Sequence, residues 1–298
     1  MLGSGAGGGV PQWNCACDNC TLVRAGDRRV SARTQDSIAL TGSAAQGDRW
    51  LLVNASPDVL RQIERARPLH PRAPRHTPIA AVALTNGDLD HVVGLLSLRE
   101  SQPFSVLATE RVRAGLVERN VMLRTLSRTA DQVTWRRLEL GRELVLDDVG
   151  LGVTPVAAPG KLPVHLVSVL EPSPEDNVAL RIRDLQSGRR VVLATAIGSL
   201  DAMTELVAGV DALFLDGTFW SEDELPAAGL GTARARDMAH VPIGGPGGSL
   251  SCRAAMPERR VFTHLNNSNP VLREGTAERA AVQAAGWEIA FDGMELQL

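Results

Sequence analysis

Seven consecutive residues, Thr85–His91, place two carboxylates, an amide and an imidazole in one short stretch. The stretch reads TNGDLDH, and its candidate reactive groups are Asn86, Asp88, Asp90 and His91. Carboxylates and imidazoles are common ligands of divalent metals. The same pattern also fits an ordinary helix N-cap with solvated acidic side chains. The stretch alone therefore indicates either a metal centre or the start of a helix.

The segments on either side predict elements that would position these groups. Ile79–Leu84 is an apolar run with the length and β-branched content of a buried strand. After the turn, Val93, Leu95, Leu96 and Leu98 follow the spacing of an amphipathic helix. Ligands of open α/β sheets bind just outside the carboxyl ends of strands. The turn after Leu84 is such a place.

Two later apolar runs also end in residues that bind metals. Asp211–Leu215 is followed by Asp216, and Arg260–Thr263 is followed by His264. Because a sheet gathers the carboxyl ends of its parallel strands at one edge, we expect both residues to converge with the Asp90–His91 pair. Two imidazoles and two carboxylates suit iron, zinc or manganese better than calcium. A coincidence of polar strand ends is the alternative.

Three cysteines form a second candidate site near the start of the chain. Cys15, Cys17 and Cys20 have the spacing C-x-C-x2-C, which brings three thiolates within reach of one tetrahedral ion. Structural zinc sites usually have four protein ligands. Cys252 is a candidate for the fourth. The spacing predicts a structural zinc site, and free thiols are the alternative.

The composition excludes several classes of function. The chain has 298 residues, 44% apolar content and a net charge of −3, so it lacks the basic surface expected of a nucleic-acid-binding protein. It contains no apolar run near the ~20 residues of a membrane span and no signal peptide, so we expect a cytoplasmic protein without a membrane partner. No linker divides the sequence, which predicts a single domain over residues 1–298. Lys161 is the only lysine among 31 Lys and Arg residues, which favours a role for a compact point charge, with an ordinary surface lysine as the alternative.

Three further segments complete the prediction. Pro57–Ala66 is expected to be a helix with Ser56 as its N-cap, and Ser199–Val210 another helix. The alternation in His165–Leu170 favours a strand, so His165 is interpreted as a strand residue rather than a ligand. Helices alternate with strands and hairpins along the chain. This pattern fits an α/β (α+β) protein in which two mixed sheets are sandwiched between helical layers.

The Gly-rich beginning, MLGSGAGGGV, formally matches the dinucleotide-binding fingerprint. That fingerprint requires a preceding strand and a following helix, and neither is predicted here. The glycines instead predict a loop whose backbone can approach a ligand closely.

The central stretch TNGDLDHVVGLL resembles the H-x-H-x-D-H motif of the metallo-β-lactamase superfamily. Asn86 and Asp88 stand at the first two histidine positions, while Asp90 and His91 keep the D-H pair. In that superfamily H-x-H serves one metal and D-H the other, a later Asp bridges them, and a final strand-end His completes the second site. The resemblance therefore implies an αββα four-layer sandwich in which the first metal site is lost and the second is kept.

A longer resemblance covers nearly the whole chain. The segments LGSGAGGGVPQWNCACDNC, SPDVLRQIE, PGKLP and THLNNSNP closely resemble the coenzyme pyrroloquinoline quinone (PQQ) biosynthesis protein B family. The resemblance implies an oxidoreductase that uses Fe(II) and O2 to hydroxylate the tyrosine-derived ring of a cross-linked Glu-Tyr precursor. A carrier that helps transport PQQ or its precursor to the periplasm is the alternative, and a hydrolase with two metals is a third hypothesis. Expected partners are the precursor, other PQQ-pathway proteins and a second copy of the chain in a homodimer.

The hydroxylase hypothesis assigns roles to individual residues. Asp90, His91, Asp216 and His264 would hold Fe(II). Asp88 would be a further ligand or a proton acceptor, Lys161 would pair with a substrate carboxylate, and His240 would assist proton transfer or orient a substrate carboxylate, with a structural histidine as its alternative. Ser56, Asn86, Ser199 and Thr218 are candidates to line the substrate pocket. Asn267 stands where some superfamily relatives supply a histidine to the cysteine-bound zinc.

Overall fold

The computed structural model describes residues 1–118, 120–167 and 170–298. Its first β-sheet contains five strands in the order β1-β2-β3-β4-β5. Their bounds are Ile38–Leu40 (β1), Trp50–Val53 (β2), Ile79–Ala83 (β3), Phe104–Ala108 (β4) and Val133–Arg137 (β5). β1 and β2 are antiparallel, and β2 to β5 run parallel to one another.

The second sheet contains seven strands in the order β12-β11-β10-β9-β8-β7-β6. Their bounds are Leu144–Leu146 (β6), Leu151–Ala157 (β7), Val178–Asp184 (β8), Arg190–Ala194 (β9), Ala212–Asp216 (β10), Arg259–Thr263 (β11) and Glu288–Ile289 (β12). β6 to β9 are antiparallel, whereas β9 to β12 are parallel. β10 and β11 therefore present their carboxyl ends at the same edge.

The helices of the described residues are short. They are Asp18–Arg24 (α1), Val59–Arg65 (α2), Leu89–Val92 (α3), Glu110–Val117 (α4), Met203–Val207 (α5), Glu224–Ala227 (α6) and Ala277–Ala284 (α7). 3-10 segments are Arg67–Leu69, Val93–Leu98, Val121–Ser127, Val164–Leu166, Arg236–Met238, Ser249–Ser251 and Pro270–Leu272. No helix in this part of the chain is long and apolar enough to cross a membrane.

The apolar side chains of the strands form three buried layers. In β2, Leu51 lies between the two sheets, whereas its neighbour Leu52 lies on the outer face of the first sheet. In β9, Leu193 lies between the sheets and Val192 on the outer face of the second. Side chains of α2 and α4 cover the first outer face, and those of α5 and α7 cover the second. The predicted αββα sandwich is confirmed.

The helix predicted over Pro57–Ala66 begins later than expected, at Val59. The side chain of Ser56 does not cap it. The buried Ser56 hydroxyl instead donates to Gln62 Oε1 at 3.2 Å, while its backbone carbonyl accepts from Val59 N–H at 3.0 Å. A hydrogen bond to a side chain of the same helix has therefore replaced the cap.

The helix predicted over Ser199–Val210 is also shorter. Ser199 Oγ accepts from the Asp201 N–H at 3.1 Å, and this turn precedes the helix, which begins at Met203. A serine that bonds to a backbone group two residues on favours a turn over a helix.

The strand predicted around His165 is wrong. Val164–Leu166 forms a 3-10 turn directly after Pro163. Leu166 is buried while Val164 and His165 are exposed, so the alternation reflects one turn with one buried side chain. Ser168 and Val169 lie outside the described residues.

Candidate metal centre

The turn after β3 brings its reactive groups into the first turn of a helix. Asp88 occupies the N-cap position of α3, and Asp90 and His91 lie within the helix. The backbone carbonyl of His91 accepts from the Ala55 N–H at 2.7 Å, which ties this turn to the end of β2. His91 is almost fully buried, and Asp90 is partly exposed.

The parallel pairing of β10 and β11 brings the two later candidates together. Asp216 pairs with Thr263, so the next residue, His264, lies beside Asp216 at the carboxyl edge. His264 has a φ of 56°, which is uncommon for a residue with a side chain. The Leu265 N–H donates to Ser4 O at 2.9 Å and so holds the backbone just after it. Strain of this kind is frequent at functional sites.

Asp90, His91 and His264 form one cluster, which we call the metal centre. Asp90 Oδ2 lies 3.3 Å from His264 Nε2 and 3.8 Å from His91 Nε2. The two imidazole rings meet edge to face, with centroids 5.3 Å apart. One oxygen and two nitrogens thus converge on one point. Asp90 and His91 follow β3 of the first sheet, whereas His264 follows β11 of the second, so the expectation that a single sheet gathers them is wrong.

Asn86 determines which nitrogen of His91 is free. Asn86 Oδ1 accepts the backbone N–H of Asp88 at 3.0 Å, so this atom must be the oxygen. His91 Nδ1 lies 2.7 Å from the same oxygen and must donate to it. A neutral His91 then carries its lone pair on Nε2, which is buried and has no hydrogen-bond partner among the described residues. That atom is available as a metal ligand.

Thr218 sets the tautomer of His264 in the same way. The Thr218 hydroxyl donates its single proton to Asp216 Oδ1 at 2.6 Å. It must therefore accept from His264 Nδ1, which lies 2.8 Å away. The lone pair of a neutral His264 is left on Nε2, the atom that faces Asp90.

Asp216 is not in the Asp90 cluster, contrary to the sequence prediction of one four-residue set. His240 Nδ1 lies 2.6 Å from Asp216 Oδ2, which also accepts the Ile197 N–H at 2.9 Å. Asp216, His240 and His264 form a second group, and its centre holds the Thr218 hydroxyl, within 3.1 Å of all three. Of the four predicted ligands, the structure thus brings three to one point, and His264 links the two groups.

Charge interactions hold the metal-free centre together. Burial alone would raise the pKa of Asp90, but His91 and His264 outweigh it and place that pKa well below its usual range. Burial lowers the pKa of His264, yet Asp90, with Asp36 and Asp216, raises it to about 9. A proton on His264 therefore balances Asp90 at neutral pH. A divalent cation can replace that proton, and two imidazoles with a carboxylate suit zinc, iron or manganese.

The cysteine clip, which consists of Cys15, Cys17 and Cys20, surrounds the side chain of Asn267. Its Nδ2 lies 3.2, 3.4 and 3.4 Å from the three sulfurs, respectively. Asn19 Nδ2 donates to the backbone carbonyl of Asn267 at 3.0 Å and fixes its position. Three sulfurs that converge in this way suit a tetrahedral zinc ion.

Comparisons with known proteins agree with this geometry. A model described as the beta-lactamase superfamily domain matches residues 49–265. Coenzyme PQQ synthesis protein B of Methylobacterium nodulans is 46% identical over 303 residues, covering 100% of this chain and 99% of that protein. Its counterpart in Pseudomonas entomophila is 41% identical with the same coverage. This chain belongs to the coenzyme PQQ synthesis protein B family.

Solved structures extend the comparison. The crystal structure of Zn(2+)-bound PqqB from Methylobacterium extorquens has a TM-score of 0.92 and 43% identity, covering 100% of this chain and 98% of that one. A diphosphatase of the PhnP family, at a TM-score of 0.62 and 19% identity over 100% and 96%, shares the fold alone. The resemblance noted in the sequence is thus confirmed at the level of family and fold.

The remaining predicted site residues lie at varying distances from the metal centre of this PqqB-family chain. Asp88 Oδ2 accepts from Asn86 Nδ2 at 3.1 Å, so its carboxylate is engaged beside the centre. Lys161 is half-buried in the loop after β7, next to Gly160, which packs on Asn177. Asn177 in turn accepts from Asn86 at 3.1 Å, which places the Lys161 loop near the turn. The roles of Asp88 and Lys161 stay predictions.

Cys252 lies outside the clip, and the hydroxyls of Ser56 and Ser199 bond to neighbouring groups in the chain. Cys252 packs in the apolar layer outside the second sheet and is not part of the clip among the described residues. Ser56 is buried against Gln62, and Ser199 forms the turn before α5. Their hydroxyls are engaged in these local contacts, which does not favour a role in the substrate pocket.

The glycine-rich start approaches the metal centre, as the sequence suggested. A Cβ on Gly7 would lie 3.2 Å from Asp90 Oδ2. Such a contact is tighter than side chains normally make, so any larger residue would press on this carboxylate. The loop therefore covers Asp90 with backbone alone.

Sequence reasoning missed Asp36, which lies just before β1. Its side chain is fully buried, and its Oδ2 lies 4.0 Å from His91 Nε2. No motif marks this residue. An acidic residue directly before an apolar strand, in the stretch TQDSIAL, was the only signal that could have identified it.

Proposed function

We propose that this chain is an iron- and O2-dependent hydroxylase of PQQ biosynthesis. Family membership supports the role in PQQ biosynthesis, and a zinc-bound PqqB relative supports a metal cofactor. The observation that carries the proposal is the convergence of His91 Nε2, His264 Nε2 and an Asp90 oxygen. That donor set is the one found in non-haem iron oxygenases, which leave positions open for O2 and substrate.

Two features favour one metal over the pair that a hydrolase needs. Asn86, at the first histidine position of the motif, is fully engaged in hydrogen bonds to Asp88, His91 and Asn177. The second group, which consists of Asp216, His240 and His264, is centred on the hydroxyl of Thr218. A two-metal hydrolase requires ions about 3.5–4 Å apart, and a second ion held by Asp216, His240 and His264 would have to displace the Thr218 hydroxyl from the centre of that group.

The proposed substrate is the phenol ring of a cross-linked Glu-Tyr precursor. Conversion of a phenol to a quinone by one O2 releases one water and needs no other reductant. Fe(II), when bound, would supply the activation of O2. Asp90, His91 and His264 would hold the ion, while the buried His240–Asp216 pair can take up or return the phenol proton. Lys161 is proposed to pair with a carboxylate of the precursor.

Iron loading and O2 consumption test the proposal together. The purified chain, His264→Ala and the control His70→Ala are reconstituted anaerobically with Fe(II), and metals are counted. His70 bonds to the Glu64 carbonyl and lies outside the metal centre. O2 uptake is then measured with a Glu-Tyr-derived phenol. We expect one iron per chain and O2 uptake in the wild type and His70→Ala, and loss of both in His264→Ala.

Other outcomes would decide between the hypotheses. If the phenol binds but no O2 is consumed by the iron-loaded chain, the hydroxylase proposal is wrong and the carrier is favoured. Two metals per chain beyond the cysteine clip would instead favour a hydrolase.

A further inference from the structure

We propose that Asp36 is a further carboxylate of the metal centre, acting on the metal from the far side of His91. This inference rests on the proposed metal centre and adds to it a residue outside the superfamily motif. Nothing in the known motif requires an acidic residue before β1, so the assignment depends on the contacts of Asp36 alone.

Asp36 is buried without a full set of partners. The chain start holds its segment in place through bridges between Gly3 and Ser37 and between Gly5 and Gln35. Asp36 Oδ2 accepts from Asn54 Nδ2 at 3.0 Å. Its Oδ1 is buried and has no hydrogen-bond partner in the part of the chain that the structure describes. A buried carboxylate normally accepts several hydrogen bonds or pairs with a cation.

The other oxygen of the Asp36 carboxylate, Oδ2, faces a second atom that lacks a hydrogen-bond partner. Asp36 Oδ2 lies 4.0 Å from His91 Nε2, which also lacks a partner among the described residues. Because Asn86 fixes the proton of a neutral His91 on Nδ1, both facing atoms are acceptors. Two ligands of one ion, each about 2.0–2.2 Å from it, lie roughly 3.3–3.6 Å apart in a tetrahedral site and up to about 4.4 Å apart when they are opposite each other. A cation held by His91 therefore also compensates Asp36.

A purely structural role explains the contacts less well. Asn54 needs only an acceptor, and a neutral Asn or Ser at position 36 would supply one without burying a charge. Burial raises the pKa of Asp36. No Arg or Lys forms an ion pair with Asp36 among the described residues, so an ion at the metal centre, which lies beside it, is the cation that would compensate its charge.

The test compares metal affinity with the stability of the metal-free protein. Wild type, Asp36→Asn and Asp36→Ser, with zinc retained in the cysteine clip, are titrated with Zn(II) against a chromophoric chelator. Asp58→Asn is the matched control, because Asp58 accepts from Gln35, one residue away, without facing the centre. Thermal unfolding is measured on the same proteins without the second zinc.

We expect both Asp36 variants to raise the Kd of the second zinc about 10- to 100-fold, while Asp58→Asn changes it by less than about threefold. The metal-free Asp36 variants should unfold at or above the wild-type Tm, because they no longer bury an unpaired charge. A Kd within about threefold of wild type overturns the assignment. So does a fall in the metal-free Tm of several degrees in both variants, which would mark a packing role. If the wild type binds no second zinc, the proposed metal centre itself fails.

Discussion

One asparagine lies beside the metal centre and another lies among the sulfurs of the cysteine clip, each at a position where superfamily relatives can have a histidine, and the two asparagines are held differently. Asn86 is surrounded by hydrogen-bonding groups, because it accepts from Asp88 and His91 and donates to Asp88 and Asn177. The side chain of Asn267 faces three sulfurs instead. Asn86 can therefore only position a ligand, whereas Asn267 can turn its amide oxygen toward a cation among the sulfurs.

The two regions also differ in what holds them together without metal. In the centre, Asp90 and His264 come from positions 174 residues apart, and their charges attract each other. In the clip, Cys15, Cys17 and Cys20 come from one short segment, and their thiolates would repel each other. The centre can keep its shape with a proton in place of the ion, while the clip depends on its metal.

The largest effect is therefore expected from breaking the clip. Cys17→Ser should release the clip zinc and reduce the free energy of unfolding by about 3–4 kcal/mol. This is the stabilisation expected from a ligand whose concentration is far above its Kd. That corresponds to a fall in Tm of roughly 10 °C. Zinc content and thermal unfolding measure both.

Cys252→Ser is the control for that experiment, since Cys252 packs in the outer apolar layer. It should keep the zinc and the Tm. A Cys17→Ser protein with wild-type zinc content and stability would contradict the distinction between the two regions.

A smaller effect is expected from Asn86, because it acts through His91. Asn86→Leu removes the acceptor that fixes the His91 proton, and the affinity of the centre for zinc should fall about 10- to 100-fold. Asn86→Asp keeps an acceptor and should stay within about tenfold of wild type. Chelator competition measures both variants.

A variant in the cysteine clip is the control for the Asn86 prediction. Asn267→Ala should leave the affinity of the centre unchanged, because the side-chain amide of Asn267 bonds to the sulfurs of the clip. If Asn86→Leu binds zinc as tightly as wild type, Asn86 does not position His91.

The three strands that precede the site residues were predictable from the sequence because each is a short and largely buried apolar run. Ile79–Leu84 was predicted and Ile79–Ala83 observed, and similar agreement holds for β10 and β11. Helix ends were less predictable, because they depend on which partner a capping side chain chooses. Ser56 has the residue type of an N-cap, yet its hydroxyl bonds to Gln62.

The residues of the candidate site also differ in how far the sequence could predict them. Asp90, His91 and His264 each follow a strand end, as the sequence indicated, but their convergence depends on the packing of two sheets rather than on the edge of one. The Asp216–His240 pair depends on a loop that returns to the sheet, where Val241 N–H donates to the Ile197 carbonyl. No pattern of apolar residues in the sequence indicates that this loop returns to the sheet.

Asp36 was missed for a related reason. Its approach to His91 follows from the pairing of β1 with β2, which places Ile38 opposite Val53 and so brings Asp36 to Asn54. Pairing register of this kind is set by packing of the whole sheet and cannot be obtained from one strand.

The pH dependence of the metal-free protein should show the smallest effect and tests the attraction within the centre. Burial lowers the pKa of His264, but Asp90 raises it by more than burial lowers it. The resulting pKa of about 9 is above the value of about 6.5 expected in the unfolded chain. The resulting stabilisation is fully present below about pH 6.5 and is lost as the pH rises through about 9. Between about pH 7.5 and pH 8.5 the loss should be about 1 kcal/mol.

Urea unfolding of chelator-treated protein at these two pH values measures that loss. Asp90→Asn removes the carboxylate that raises the pKa of His264, so its stability should change less over the same interval. Cys17→Ser leaves Asp90 and His264 in place and should keep the wild-type difference attributable to them. Equal slopes in the wild type and Asp90→Asn would show that a proton does not hold the metal-free centre together, and the contrast with the clip would then rest on geometry alone.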